Sequence, residues 1–516
     1  MKPSQIFLPT IDEMDRPRSN CGVVGVYGHP QAAVMVYYAL HALQHRGQEA
    51  AGIVAARRDP LTQKVRFYAH RDKGLVLEVF SNPAILKDHL AGSMAIGHNR
   101  YSTTGGTDVR ANIQPFAIRY RKGNLALSHN GNLTNTRQLR EQLQQEGAIF
   151  QSSTDTEIFL HLIARSRAED PIEQILEALR TVRGAYALVM MTDTQLLAAR
   201  DPYGIRPLAI GRIPLEAGKW AYIVASETCA FDIIGAEYVR DVRHNELIVI
   251  DQETLQTGTI RSFSIQPNTP TARHCIFEYV YFARPDSTIF GHSVDKVRRR
   301  LGKRLAEEAP VYPSDEKKVV VMGVPDSANT ASLGYAQQLA KQEIPSKYEI
   351  GLIRSHYIGR TFIAPGQDAR EIRVKAKFNP VAGVLRNRTV VMVDDSIVRG
   401  TTAKALVQLV RSTGLKELHL RISSPPVRFP CHYGMDFPSY EELIANHFQS
   451  DQQRIGQELG ADSLHYLSLQ GLHAAVPQEE GIGYCDACFT GNYPVPIEED
   501  AHKDDLDVEM TIEMPG

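Results

Sequence analysis

The chain has 516 residues, 43% of them hydrophobic, with 57 Lys and Arg against 59 Asp and Glu, which is length enough for two domains or more, each with its own core. Balanced charge excludes a strong electrostatic pull toward nucleic acid or an anionic membrane. No window offers the roughly 18 uninterrupted apolar residues of a membrane span, and six cysteines are too few for a disulfide scaffold, which points to a reducing cytoplasm and to thiolate chemistry for any cysteine with a function.

The leader "MKPSQIFLPTIDEMDRPRSN" lacks the basic start and apolar run of a secretion signal. Cys21 follows it and opens a strand-like stretch, "CGVVGVYG". From Gly22 to about Asp251, short apolar or alternating runs such as "MAIGH", "LALSHNG", "YALVMM" and "ELIVI" predict antiparallel sheet, with helices near 31–45, 155–166 and 170–181. The polar, turn-rich segment within 252–290 reads as a joint. Beyond about 290, compact strands in "KKVVVMGVPDS", "RTVVMVDDS" and "ELHLRISSPP" alternate with helical stretches, the pattern of a parallel sheet with crossover helices. The last segment, "EEDAHKDDLDVEMTIEMPG", is acidic and aperiodic and is expected to be mobile.

The most specific local signal is "VVMVDDSIVRGTT". An apolar strand delivers Asp394 and Asp395, and Ser396, Arg399, Gly400, Thr401 and Thr402 lead into a helix. Uncommitted N–H groups and hydroxyls at a helix start attract an anion. The carboxylates would repel phosphate, so their expected partners are sugar hydroxyls or Mg²⁺. One Asp or Ser here would simply cap the helix; an acidic pair with Arg-Gly-Thr-Thr asks for a ligand that carries ribose and phosphate together.

This stretch resembles the phosphoribosyl-diphosphate (PRPP) motif of type I phosphoribosyltransferases. The resemblance implies that Asp394 and Asp395 bind the ribose hydroxyls and the metal, and that Ser396 through Thr402 cradle the 5′-phosphate. "GVPDSANTA" resembles the loop that faces pyrophosphate in glutamine-using members and implies Ser327 near the Mg²⁺. "RSHYIGRTFIAPGQ", residues 354–367, resembles their lid. Gly359, Arg360, Thr361 and Phe362 agree with it, Arg360 as a PRPP ligand, whereas Arg354, Ser355 and His356 replace a common Lys-Asn-Arg.

Such a domain needs a nucleophile for C1 of PRPP, and free ammonia is scarce and mostly protonated near neutral pH. "CGVVGVYG", "LQHRGQEAAGI", "GHNRYSTTG", "SHNGNLTN" and "SSTDTE", in that order, resemble the N-terminal-nucleophile (Ntn) glutaminase domain, which makes ammonia. A thiol with pKa near 8.5 is only a few per cent thiolate at pH 7, and no catalytic His–Asp pair is evident in the sequence. An α-amino group of pKa about 7.7–8.0 on the same residue can serve as base. Cys21 is then the first residue of the mature enzyme and residues 1–20 a propeptide. The resemblance implies Asn130 and Gly131 as oxyanion donors, Arg100 on the glutamine α-carboxylate and Asp155 on its α-ammonium. Singly, Asn-Gly is more often a turn, Arg100 a surface ion pair and Asp155 a helix cap; five motifs in order favour the site.

"YCDACF" holds Cys485 and Cys488. A C-x-x-C can be a redox motif, half of a zinc site or part of an iron–sulfur site, and a second C-x-x-C is missing. Cys275 and Cys431 stand alone, by default as small core residues. Their flanking segments resemble the iron–sulfur branch of the glutamine PRPP amidotransferases, which implies that Cys275, Cys431, Cys485 and Cys488 hold a [4Fe–4S] cluster. Cys229 reads as a core thiol.

The resemblance runs from Cys21 to about Pro494. It implies an α+β Ntn-hydrolase domain over 21–255, a four-layer αββα antiparallel sandwich, and an α/β type I phosphoribosyltransferase domain over 275–475 with a mostly parallel sheet. A cysteine-bearing segment follows at 476–498 and the acidic tail at 499–516. The implied reaction converts glutamine, PRPP and water to 5-phosphoribosylamine, glutamate and pyrophosphate, the opening of purine synthesis. It also implies one Mg²⁺ per subunit, purine nucleotide inhibitors and a homotetramer or homodimer. Glucosamine-phosphate or asparagine synthesis would need a different second domain, and a non-catalytic regulator would be expected to lack Cys21, Arg100 or the acidic pair.

Overall fold

The computed structural model describes residues 21–101, 110–355, 377–435, 437 and 439–497. The leader 1–20, Gly359 through Phe362 of the lid with Arg360 among them, and the tail 499–516 lie outside the described residues.

Two antiparallel sheets form the first half. Seven strands run in the spatial order Glu237–Asp241, Ala209–Pro214, Trp220–Ala225, Gly22–Tyr27, Met94–Arg100, Ala50–Arg58, Val65–Lys73. Six strands, from Arg261–Ser264 through Glu246–Ile250, Leu196–Arg200, Gly184–Thr192 and Gly123–Leu133 to Phe116–Tyr120, make the second. Strand alternation gives each sheet two apolar faces. Val23, Ile96, Ala126 and Val189 meet between the sheets; Val24 and Val26 pack outward with Val36 and Leu40 of helix Ala32–Ala42; and Leu125 and Leu127 pack with helices Thr156–Arg165 and Pro171–Thr181. The layers are therefore αββα, as expected. The three helices fall within two or three residues of the spans predicted at 31–45, 155–166 and 170–181. The last begins where it does because Asp170 accepts from the Ile172 N–H at 3.0 Å and Pro171 occupies the first turn.

The second half holds five parallel strands in the order Ser346–Tyr348, Val319–Gly323, Thr389–Asp394, Glu417–Ile422, Ser463–Tyr466. Helices cover both faces, so the strands are apolar on both sides. Val319, Val321, Val391 and Val393 face Leu301 and Tyr335, and Val320, Met322, Val390 and Met392 face Leu406 and Ile455. Each of these fully buried side chains contributes about 1.5–3 kcal/mol by burial. Among the described residues, no helix is long and apolar enough to cross a membrane.

The joint is not a simple linker. Arg261–Ser264 extends the six-stranded sheet beyond residue 255, and Ala272–Cys275 pairs in parallel with Ile482–Cys485. The C-terminal segment thus returns to the junction of the two halves. Buried charges cross the same junction: Arg46 bonds Glu227 and Glu278, and Arg206 bonds Glu278 and the Tyr433 carbonyl, all four side chains being fully buried.

Candidate active sites

Cys21 precedes Gly22–Tyr27, the middle strand of its sheet. The register that sets Gly22 opposite Asn99 brings Cys21 level with Arg100. Cys21, Arg100, Gly131 and Asp155 line one pocket, together with Asn112, Gln114, His129 and Thr154. The thiol donates to the Tyr101 carbonyl at 3.3 Å. Burial pushes it up to about 11, with the field of Arg100 opposing. Burial thus favours the protonated thiol.

Asp155 sits at the start of helix Thr156–Arg165, yet its side chain makes no capping bond. It reaches the other way, accepting from the Leu133 N–H at 2.9 Å and from the Thr156 hydroxyl at 3.2 Å. Burial works against its ionisation, but His129 and these donors hold the carboxyl below its ordinary range. Arg100 is 4% exposed, which removes the reading of it as a surface ion-pair partner.

Sequence reasoning did not foresee His129 here. Its Nδ1 lies 3.6 Å from Asp155 and 3.2 Å from the Thr156 hydroxyl, and its Nε2 3.4 Å from the Ala185 carbonyl. A His–Asp pair is thus present in the pocket, although none was evident in the sequence. Both ring nitrogens are directed at these neighbours and not at the thiol, so the ring braces Asp155. The signal was the His of "SHNG", which linear spacing cannot link to residue 155.

Asn130 is wholly buried, and among the described residues neither polar atom of its side-chain amide has a hydrogen-bond partner. Leaving such a group unsatisfied costs about 1–3 kcal/mol, a cost that makes sense where a ligand supplies the bond. It shares the inter-sheet face of its strand with Ala126, as Cys21 shares that of its own with Val23. It is not itself among the pocket-lining residues. Gly131 has φ of +151°, and a Cβ there would lie 2.0 Å from the Ala185 carbonyl oxygen; the chain passes only as glycine.

In the second half the strand Thr389–Asp394 ends on the acidic pair. Asp394 accepts from the Asp395 N–H at 2.9 Å, and Asp395 accepts from the hydroxyls of Ser327 and, at 2.8 Å, Ser396. Ser327, from the stretch at residues 323–331, therefore does meet the pair. Gly400, with φ of +85°, turns the chain into helix Thr401–Arg411, which forms because Ala403, Leu406, Val407 and Val410 recur on one buried face. Thr402 is buried at that helix start, and Arg399 points outward to Glu442, Nε to carboxylate 3.0 Å. Arg298 went unforeseen; fully buried, it donates to the carbonyls of Tyr279, Tyr281 and Ala283, and its charge lies within electrostatic reach of Asp395.

Among the described residues, no three His, Cys, Asp or Glu side chains converge closely enough to hold one metal ion. The pair Asp394 and Asp395 nevertheless fits Mg²⁺, which binds through one or two carboxylates and fills its remaining positions from substrate and water.

Cys275, Cys431, Cys485 and Cys488 line one cavity with Arg206, Tyr433 and Tyr493. Cys275 and Cys485 are opposite each other on paired strands; Cys488 lies in the next turn, and its carbonyl accepts the N–H groups of Arg428 and Phe429, which leads the chain to Cys431. A mononuclear zinc site would need all sulfurs about 2.3 Å from one point. Four cysteines lining a shared cavity, with cationic Arg206 beside them, fit a cluster that takes one thiolate per iron. Burial pushes the Cys275 thiol up to about 12. Cys229 packs apart from them, buried beside the Ala42 carbonyl.

A model of the glutamine amidotransferase domain matches residues 98–232. An amidophosphoribosyltransferase of Bacillus subtilis is 46% identical over 484 residues, 93% of this chain and 95% of that protein; one of Rhizobium etli is 45% identical over 496 residues, 95% of each. A solved structure of the B. subtilis glutamine PRPP amidotransferase, complexed with ADP and GMP, superposes with a TM-score of 0.82 at 45% identity, covering 93% of this chain and 99% of that one. A glutamine amidotransferase sandwich joined to a parallel-sheet phosphoribosyltransferase, 45–46% identical to these enzymes over nearly its whole length, places this chain in the amidophosphoribosyltransferase family, the enzymes of the first step of de novo purine biosynthesis.

Proposed function

We propose that Cys21 is the nucleophile that takes ammonia from glutamine and that the Asp394–Asp395 end of the parallel sheet is where ammonia meets PRPP. The observation that carries this reading is one pocket lined by Cys21, Arg100, Gly131 and Asp155. Glutamine enters with its α-carboxylate on Arg100 and its α-ammonium on Asp155, an acid held ionised by its neighbours. Its side-chain carbonyl then lies toward Cys21, with the Asn130 amide and the Gly131 N–H for the oxyanion. A thiol held up at about 11 by burial requires a base. The α-amine of Cys21 serves once residues 1–20 are removed at Asn20–Cys21; before removal that nitrogen is a non-basic amide. Attack of sulfur on the glutamine amide carbon gives a thioester and ammonia, and water later releases glutamate.

At the second site Asp394 and Asp395 hold the ribose hydroxyls, and Ser396, Gly400, Thr401 and Thr402 hold the 5′-phosphate at a helix N-terminus. Arg399 joins them by leaving Glu442, and Arg360 acts from the lid. Asp394, Asp395 and Ser327 would hold Mg²⁺, whose charge when bound offsets that developing on the departing pyrophosphate. Cys275, Cys431, Cys485 and Cys488 would hold a [4Fe–4S] cluster, structural or oxygen-sensing because neither half-reaction moves electrons. Six free thiols without a disulfide accord with a cytoplasmic setting. Purine nucleotides as inhibitors, in line with the ADP and GMP complex of the B. subtilis enzyme, and a homodimer or homotetramer complete the reading.

The test is a pair of variants. Cys21→Ala abolishes glutamine-dependent synthesis and leaves synthesis from high ammonia at alkaline pH intact, whereas Asp394→Ala removes both. Equal loss of both activities in Cys21→Ala would sink the two-site reading.

A further inference from the structure

We infer that the segment His432-Tyr433-Gly434, from the phosphoribosyltransferase half of the chain, is a strap that positions the oxyanion strand of the glutaminase site, with Gly434 and Asn132 as positioning residues. This rests on the reading of Gly131 as an oxyanion donor. Gly434 has φ of +100°, and a Cβ built on it would lie 2.8 Å from the Gly131 carbonyl carbon and 2.9 Å from its oxygen. Two backbones from opposite halves of the molecule therefore touch at the residue whose N–H is to face the substrate carbonyl. One residue on, the Asn132 side-chain amide donates to the His432 carbonyl at 3.1 Å, which ties the strand to the strap at a second point.

The strap is held from behind. Arg206, fully buried, donates through Nε to the Tyr433 carbonyl at 2.9 Å, and the Tyr433 hydroxyl donates to the Val495 carbonyl at 2.7 Å and accepts from the Val495 N–H at 3.0 Å. Gly131 cannot retreat, because on its other side the Ala185 carbonyl already occupies the space of a Cβ. The strand is clamped between Ala185 and Gly434, and a shift of a few tenths of an ångström in the strap is delivered to the oxyanion donor. Oxyanion donors act only when aimed at the position of the developing charge, and loss of one costs 10²–10³-fold in kcat. A clamp of this kind affects kcat and leaves substrate capture, which Arg100 and Asp155 perform, unchanged.

Gly434→Ala and Asn132→Ala test this in the full-length enzyme. For glutamine hydrolysis we expect kcat to fall at least about tenfold in Gly434→Ala and less in Asn132→Ala, with KM within about twofold in both. Ammonia-dependent synthesis stays at the wild-type rate, which also reports that Gly434→Ala folds. Affinity for glutamate γ-semialdehyde, whose carbonyl adds reversibly to the Cys21 thiol and leaves its oxygen at the oxyanion position, falls in parallel with kcat, while affinity for the product glutamate does not. Unchanged kcat in both variants, or an equal loss of glutaminase and ammonia-dependent activity, would overturn the strap. Persistent glutamine hydrolysis in Cys21→Ala would instead overturn the nucleophile assignment, so the two failures are distinguishable.

Discussion

Cys21 and Asp155 are neighbours whose surroundings push them in opposite directions, the thiol toward its protonated form by burial and the acid toward its ionised form by His129 and backbone donors. That division suits a site in which the acid binds an ammonium and the thiol waits for a base. Glu227 shows the same electrostatics in a structural setting. Burial disfavours its charge, but His45 and Arg46 draw its carboxyl far below the ordinary range. Since the folded pKa is depressed, the stabilisation is complete above the unfolded value near 4.3 and is lost as pH falls through the folded value. Glu227→Gln leaves buried Arg46 with half its partners and is expected to cost about 3 kcal/mol at pH 7. Thermal unfolding of both proteins from pH 7 down to 3 should show that gap closing only below about pH 4.

At the scale of elements, each proposed site lies where a strand ends. Thr389–Asp394 was legible because a buried parallel strand is a continuous apolar run and its acidic end is a sharp break. Helix Thr401–Arg411 was equally legible, from good helix formers with one apolar face. Gly400 joins the two, and a Cβ on it would meet Ile444 Cδ1 at 2.4 Å. Gly400→Ala is therefore expected to raise KM for PRPP about tenfold, a 1.4 kcal/mol effect, with glutamine and with ammonia alike, and to leave glutamine binding unchanged. Steady-state kinetics with each nitrogen donor decide it. Arg399 was read as part of the phosphate cradle, but linear position could not reveal that Glu442, 43 residues on, engages it.

At the scale of the whole molecule, the C-terminal segment closes the structure: the strand Ile482–Cys485 pairs with Ala272–Cys275 and gathers the cysteines at the junction between the halves. Intact mass of protein purified without oxygen is expected to show a chain starting at Cys21 and, under native conditions, four irons and four sulfides; Cys275→Ser should lose the iron, and a retained leader in active enzyme would contradict the amine base. Apolar period and contiguous motifs were sufficient for the sequence by itself to mark an antiparallel first half, a parallel second half and the acidic pair with its helix, because each is written in residues close together along the chain; the αββα layering and the role of Cys21 entered as what the resemblance implies. Only the tertiary structure decided that His129 braces Asp155, that buried Arg298 comes within electrostatic reach of Asp395, and that Gly434 bears on Gly131. Those contacts join residues 26 to more than 300 positions apart, and their physical basis, buried charge and backbone contact, has no local sequence pattern.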